Sequence, residues 1–282
     1  MKKGSLLKIL VYAAAFFTIT IVLFVIGYIM VKGLPQIATE IGKLFAGEDS
    51  LFQLKYNSRN VSLVPAVANT LIMIGISLTI SAFLGISTAI YLVEYAKTGN
   101  KFVEIIRITS ETLSGIPSII YGLFGMLFFV TYVGLGFSLI SGILTISIMI
   151  LPLIIRSTEE ALKAVPTSYR EASYGLGAAK LRTICVIILP SAMNGILAGI
   201  ILAIGRVIGE TAALLYTSGT TTNIATNPIE SGGRTLSVHM YMLTSEGTHF
   251  DQAYATAAVL LLVVVGINTI SYALAKRLTK GK

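Results

Sequence analysis

Arg206 and Glu210 are the residues whose types and positions most strongly suggest chemistry, because both are charged within an otherwise apolar stretch from about Met193 to Thr217. A charge at the centre of a membrane helix costs about 2.5–3.5 kcal/mol, and such residues rarely face lipid. Four positions apart, the two side chains would share one helix face and could pair. Two interpretations stay open: a salt bridge that packs helices together, or an arginine whose planar donor fork binds an anion. In the second, Glu210 would keep the arginine from holding the anion too tightly.

A second group of informative residues lies in the segment 156–190. Ser168 and Glu171 form an S-x-x-E pattern, in which a Ser hydroxyl caps a helix start and the Glu side chain reaches back. Gly175 and Gly177 follow, so the pattern predicts a short helix that ends in a turn with positive φ, and then a second helix in the cytoplasm. A capping pattern of this kind can also serve the fold alone.

The other reactive residue types form no catalytic or metal-binding pattern. Cys185 is the single cysteine and has no disulfide or metal partner. His239 and His249 lie in a polar segment without metal-ligand spacing, so we expect both to be solvated. The sequence contains no G-x-x-x-x-G-K-[ST] phosphate loop for a nucleotide. We therefore expect a protein that is not an enzyme, with no cofactor and no metal.

The elements that must position these residues are transmembrane helices. Of the 282 residues, 55% are apolar and only 12% are charged, and the mean hydropathy is +0.84. Ordinary soluble domains are about 25% charged, and an apolar segment of about 18 or more residues can cross a bilayer core. Six such helices are predicted, at about Ile9–Val31, Val67–Val93, two within Thr112–Ile155 that are separated by a turn at Gly134 and Gly136, Met193–Thr217 and Gln252–Ala275.

The distribution of basic residues predicts the orientation, since Lys and Arg accumulate in short cytoplasmic loops. With both termini in the cytoplasm, 15 of the 21 Lys and Arg residues lie inside, five lie outside and Arg206 lies within the membrane. The inner group is Lys2, Lys3, Lys8, Lys97, Lys101, Arg107, Arg156, Lys163, Arg170, Lys180, Arg182, Lys276, Arg277, Lys280 and Lys282, and the outer group is Lys32, Lys43, Lys55, Arg59 and Arg234. This topology, together with attraction to anionic membrane lipid, explains the net charge of +8 without nucleic acid as a partner.

The segment 156–190 also carries a string that resembles a family signature. Its fixed positions are held by Glu171, Ala172, Ser173, Gly177, Ile187, Leu189 and Pro190. The string resembles the E-A-A-x-x-x-G-x9-I-x-L-P signature of membrane subunits of ATP-binding-cassette (ABC) importers, with Ser173 in place of the second alanine. The resemblance implies a coupling helix that docks into a groove of a cytoplasmic ATPase through Glu171, Ala172, Ser173 and Gly177.

Further runs resemble the phosphate-importer permeases within this family. The most specific is Arg206–Ala212, which is similar to their R-x-x-G-E-T-A segment, and shorter runs are Asn69–Leu71, Glu94–Ala96, Gly115–Ser118 and Tyr121–Gly122. The length and the modest first outer loop are more similar to the PstA type than to its partner type, PstC. The resemblance implies an all-α, type I ABC importer permease fold with six transmembrane helices in a single domain, residues 1–282. It also implies phosphate as the transported ion, with Arg206 and Glu210 as its contacts.

The same resemblance implies a set of partners in a prokaryotic cytoplasmic membrane. These are a second, PstC-like permease, two copies of a PstB-like ATPase and an extracytoplasmic, PstS-like phosphate-binding protein. Alternatives remain open: the same architecture could import another oxyanion such as molybdate, sulfate or phosphonate. An ion-coupled secondary transporter would usually show paired inverted repeats, and no convincing repeat is present. A membrane-embedded enzyme is disfavoured because no acid/base or metal cluster lies near the span ends.

Overall fold

A computed structural model of the chain describes residues 2–57, 60–97, 99–247 and 249–280. Arg59 and Lys282, which belong to the predicted charge asymmetry, lie outside these ranges. The helices are α1 (Lys2–Ala46), α2 (Val64–Ile90), α3 (Lys101–Ser114), α4 (Ser118–Gly125), α5 (Leu139–Lys163), α6 (Thr167–Gly175), α7 (Lys180–Thr183), α8 (Leu189–Gly209), α9 (Ala212–Leu215), α10 (Leu236–Glu246) and α11 (Phe250–Lys280). Short π-helical segments extend α2 (Tyr91–Tyr95) and α4 (Met126–Tyr132) and join α7 to α8 (Ile184–Ile188).

Five helical stretches are long and apolar enough to cross a membrane. They are Lys8–Ala46, Val64–Tyr95, Leu139–Lys163, Lys180–Gly209 and Phe250–Ala273. A sixth span is counted if the pair Lys101–Ser114 and Ser118–Tyr132, which is bent by 104°, is taken as one broken crossing. The predicted all-α, polytopic membrane fold is therefore confirmed, with its third span broken.

The break in the third span has a local cause. Pro117 has no backbone N–H and adopts φ −58° and ψ 142°, so α4 can begin only after it. The proline also disfavours the helical region for Ile116, and α3 ends at Ser114. The predicted turn after this span is confirmed, because Gly134 and Gly136 both have positive φ, at 79° and 63°.

The fifth span differs from its prediction at both ends. It covers Lys180–Gly209, whereas the apolar pattern predicts about Met193–Thr217. The second helix expected after the glycine turn is therefore the beginning of this span, not a separate cytoplasmic helix. The chain leaves the helix at Glu210, whose backbone is extended with φ −73° and ψ 124°.

The core lies where α2, α5 and α8 pack together. Met73 of α2, Ile143 and Ile150 of α5 and Ile208 of α8 are fully buried in one apolar cluster. Because lipid is as apolar as these side chains, close van der Waals packing holds this cluster together. By contrast, α1 exposes apolar side chains on all sides and contacts α11, so most of its surface is left for lipid or for another subunit.

Two glycines of α8 allow its close approach to α5. A Cβ atom at Gly195 would lie 2.6 Å from the Cβ of Ala161, and one at Gly199 would collide with the Ser157 hydroxyl. Both glycines belong to one G-x-x-x-G spacing, which brings membrane helices together. The position Gly205, further along the same helix, has open space around it.

A leucine at position 199 is expected to destabilise the protein by forcing α5 and α8 apart. Overpacking a close-packed interface typically costs about 1–3 kcal/mol. We expect Gly199→Leu to lower the unfolding temperature of the purified chain in detergent and its abundance in membranes. Gly205→Leu is the matched control, because it makes the same chemical change on the same helix without a collision. Equal unfolding temperatures for the two variants would contradict the assigned helix contact.

Candidate functional site

A cavity of about 540 Å³ lies between α3, α5 and α8, at the end of the bundle that the basic residues assign to the cytoplasm. We call it the inner cavity. The charged side chains that line it are Arg107, Glu111, Arg156, Glu159, Glu160, Lys163 and Arg206. Basic side chains outnumber acidic ones on this wall, so the cavity favours an anion over a cation.

Most of the cations around the inner cavity already have carboxylate partners. Glu159 Oε1 lies 2.7 Å from both Arg107 Nη2 and Lys163 Nζ. Arg156 Nε donates to Glu160 Oε1 at 3.0 Å. Arg206 is half-buried and has no ion-pair partner within the described part of the chain. Its guanidinium is therefore free to bind an anion that enters the cavity. In the sequence, Arg107, Arg156 and Lys163 indicate only the orientation of the chain, because their place on the same cavity wall as Arg206 depends on helix packing.

Glu210 does not share a helix face with Arg206, so that prediction is wrong. The helix ends at Gly209, and the Glu210 carboxylate accepts a hydrogen bond from the Ala213 backbone N–H at 3.1 Å. The Glu210 carbonyl accepts a hydrogen bond from the Ser237 hydroxyl at 2.6 Å. Glu210 thus stabilises the start of α9 at the break after α8, and a salt bridge with Arg206 is not present.

The short helix predicted in the segment 156–190 is α6, Thr167–Gly175. It begins directly after Pro166 and has no side-chain cap, so the predicted capping box of Ser168 and Glu171 is wrong. The helix starts two residues earlier, directly after the proline, and Ser168 lies inside its first turn. The predicted turn is confirmed, because Gly177 adopts φ 79° and its N–H donates to the Tyr174 carbonyl at 2.9 Å.

The predicted docking residues fall on two sides of α6 and its turn. Glu171, Ala172 and Gly177 are exposed, and Leu176 beside them is 90% exposed. Ser173 is buried, and its hydroxyl is 2.8 Å from the hydroxyl of Thr183. Ser173 therefore ties α6 to the start of the fifth span, while the exposed residues form a surface that another protein can contact. We call this surface the coupling surface.

Arg170 anchors the coupling surface to α2, a contact that local sequence patterns did not reveal. Its Nη2 and Nε atoms donate to Glu94 Oε1 at 2.7 and 3.1 Å, and the Glu94 side chain is only 5% exposed. The guanidinium also donates to the carbonyls of Val165 and Leu162, each at 3.0 Å. Glu94 lies in the π-helical end of α2, so α6 and the core helix α2 are directly bound to each other.

His239 is buried, so the prediction that it is solvated is wrong. It lies on α10, a helix of 11 residues that is too short to cross a membrane. Burial, and then the neighbouring Arg234 guanidinium, lower the pKa of His239 to about 3, and the ring is neutral at physiological pH. His249 is partly exposed.

The sequence is similar to that of known transport proteins. Residues 81–282 match the family described as the binding-protein-dependent transport system inner membrane component. The probable ABC transporter permease protein YqgI of Bacillus subtilis (strain 168) is 34% identical over 264 residues, which cover 86% of this chain and 84% of that protein. The phosphate transport system permease protein PstA 1 of Mycobacterium tuberculosis (strain CDC 1551 / Oshkosh) is 36% identical over 205 residues, covering 72% and 67%.

The fold is similar to that of a solved transporter. A chain of a bacterial alginate ABC transporter, determined in complex with an alginate pentasaccharide-bound periplasmic protein, gives a TM-score of 0.69 at 18% identity. The match covers 96% of this chain and 95% of that chain. At this level of identity the likeness concerns the fold alone.

Proposed function

Because the chain belongs to the family of binding-protein-dependent transport system inner membrane components, we propose that it is a permease subunit of an ATP-driven phosphate importer and forms half of its translocation pathway. The observation that carries this proposal is Arg206, a half-buried arginine on the wall of the inner cavity without an ion-pair partner in the described residues. Relatives that are phosphate transport system permease proteins by name support phosphate as the ion. A planar guanidinium suits the oxygens of phosphate.

In this proposal Arg206 contacts phosphate during its passage, and Glu210 limits how tightly the anion is held. Conduction requires binding that is strong enough for the ion to enter and weak enough for it to leave. Glu210 is buried at the break between α8 and α9, four residues after Arg206, and its negative charge opposes a second anion nearby. The paired cations of the inner cavity would then receive the released ion.

The partners in this proposal are those that the resemblance to phosphate-importer permeases implies. Two copies of a PstB-like ATPase would supply the work, and this sequence itself contains no phosphate loop for ATP. The exposed Glu171, Ala172 and Gly177 would contact that ATPase, with buried Ser173 holding α6 in place. A PstC-like permease would complete the pathway, and a PstS-like protein would deliver phosphate from outside. The single domain 1–282 would lie in a prokaryotic cytoplasmic membrane with both termini inside.

Affinity purification of the tagged chain from native membranes tests the partner assignment. We expect an ATPase subunit to copurify, and we expect Glu171→Arg to reduce its recovery at least tenfold while the chain remains at normal abundance, because a reversed charge would face the docking groove. Glu246→Arg is the matched control, since Glu246 is exposed on the opposite, predicted outer side. Recovery of the ATPase at the wild-type level with Glu171→Arg would contradict the docking role.

Competition of labelled phosphate uptake in vesicles that contain the assembled transporter tests the substrate. We expect unlabelled phosphate to compete, and sulfate, molybdate and phosphonate to compete at least tenfold less strongly. If one of those three oxyanions competed better than phosphate, phosphate would not be the substrate. The assignment as a permease would not be affected.

A further inference from the structure

Arg234 is a buried arginine without a carboxylate partner, on the predicted outer side of the bundle. It lies between α9 and α10 and is 4% exposed. All 13 Asp and Glu residues fall within the described ranges, and none of them forms an ion pair with Arg234. Its Nη2 atom is buried and has no hydrogen-bond partner among the described residues. This chain therefore supplies no negative charge for that guanidinium.

His239 lies beside Arg234 with polar atoms that are also unpaired. Its side chain is fully buried, and neither Nδ1 nor Nε2 has a hydrogen-bond partner among the described residues. The backbone of Val61 approaches the ring but makes no hydrogen bond of normal geometry with it. A neutral imidazole has one N–H donor and one acceptor nitrogen. The ring can therefore add a hydrogen bond to whatever the arginine binds.

Tyr56 closes this group of residues from the loop between α1 and α2. The Arg234 guanidinium lies over the Tyr56 ring, 4.6 Å from its centre, and the His239 ring packs edge-on against the same ring with centres 6.4 Å apart. We call Tyr56, Arg234 and His239 the outer cluster. The loop is folded rather than open, since the Leu63 N–H donates to the Leu51 carbonyl at 2.9 Å.

The backbone beside the outer cluster is strained. Val61 is β-branched and 1% exposed, and it adopts φ 44°, a left-handed conformation that β-branched residues rarely take. Backbone strain of this kind is unfavourable and tends to occur at ligand-binding sites. Here the strained residue lies against the His239 ring.

The buried positive charge of Arg234 in the outer cluster favours the binding of an anion. An uncompensated buried charge is strongly unfavourable, and the cation–π contact with Tyr56 offsets only part of that cost. A water molecule could satisfy the N–H groups but would leave the positive charge in place. Because the guanidinium and the imidazole are buried, a small ion can reach them more readily than a side chain of another protein.

We propose that Tyr56, Arg234 and His239 form a binding site for a small oxyanion, which holds the transported ion on the outer side before it reaches Arg206. The identity of the ion rests on the proposed function. The site is linked to the inner cavity through α10, because Ser237, two residues before His239, donates to the carbonyl of Glu210 at 2.6 Å. Glu210 is the residue at which α8 ends, four positions after Arg206. This hydrogen bond joins the helix that carries His239 to the end of the helix that carries Arg206.

Nitrogen-15 NMR of histidine in the full chain in lipid bilayers tests this inference. His249→Gln leaves His239 as the single histidine, so its ring signals are read directly. We expect inorganic phosphate, but not chloride at equal ionic strength, to shift these signals in a saturable manner near neutral pH. Arg234→Gln should abolish the shift, and Arg234→Lys should weaken binding about tenfold, as expected for loss of about 1.4 kcal/mol. Lys55→Gln, which removes an exposed outer charge nearby, should leave the titration unchanged.

The wild-type titration keeps the inference testable even if Arg234→Gln fails to fold. An absent shift at saturating phosphate, sulfate and molybdate, or the same shift with Arg234→Gln, would overturn the site. A shift with sulfate or molybdate but not with phosphate would keep the site and overturn phosphate as the transported ion. Phosphate uptake at the wild-type rate without any NMR shift would leave the proposed function intact and remove the outer cluster from the pathway.

Discussion

Replacing Arg206 with glutamine is expected to reduce phosphate uptake by the assembled transporter at least tenfold while the complex forms normally. The expectation follows from the position of Arg206 on the inner cavity without an ion-pair partner among the described residues. A hydrogen bond to a charged group contributes about 1.5–3 kcal/mol, which corresponds to one to two orders of magnitude in rate. Assembly should survive, because no salt bridge within the described chain is broken. Labelled phosphate uptake, normalised to complex abundance in the same membranes, measures the effect.

Two further variants separate anion binding from general charge effects. Arg206→Lys keeps the positive charge but loses the planar fork, so we expect uptake between those of the wild type and Arg206→Gln. Arg182→Gln removes an exposed arginine from the start of the same span, outside the inner cavity, and should leave uptake near the wild-type rate. Normal uptake by Arg206→Gln would exclude an anion contact. Loss of the complex instead would indicate that Arg206 packs against another subunit.

Features of the fold that depend on local chemistry were predictable from the sequence. The positive φ of Gly134, Gly136 and Gly177 follows from turn positions that favour glycine. The number of membrane spans follows from apolar segments long enough to cross a bilayer, although the bounds of the fifth span do not. The turns depend on neighbouring residues, and the spans depend on the apolar content of one continuous segment.

Features that depend on distant contacts were not predictable. The helix ends before Glu210, and the Glu210 carbonyl accepts a hydrogen bond from Ser237, 27 residues later in the sequence. The spacing of apolar residues cannot indicate a contact of this kind. The burial of His239 likewise depends on the loop that contains Tyr56, far away in the sequence. Polar residues whose partners are distant therefore look solvated in the sequence and become buried only when the helices pack.

The ion pair between Arg170 and Glu94 is the second contact whose loss should have a large effect, and it spans 76 positions. Removing one partner of a buried ion pair costs about 3–5 kcal/mol, because the remaining charge is left without compensation. Arg170→Ala would leave the Glu94 carboxylate, whose side chain is 5% exposed, buried without an opposite charge. It would also remove the hydrogen bonds that the carbonyls of Val165 and Leu162 accept. We expect a marked fall in the unfolding temperature of the purified chain, and loss of uptake wherever the chain still assembles.

A double-mutant cycle gives the sharper test of this pair, since it isolates the interaction between the two side chains. We expect Arg170→Ala and Glu94→Ala together to destabilise the chain by clearly less than the sum of their separate effects, with a difference above about 1 kcal/mol. The control cycle uses Arg156 and Glu160, an exposed pair at i and i+4 whose side chains are 65% and 66% exposed. Such exposed pairs contribute about 0.3–0.5 kcal/mol. If the two substitutions changed the free energy of unfolding additively, the contact between Arg170 and Glu94 would be contradicted. Strong coupling together with loss of uptake would indicate that this contact connects α6 to α2 during transport.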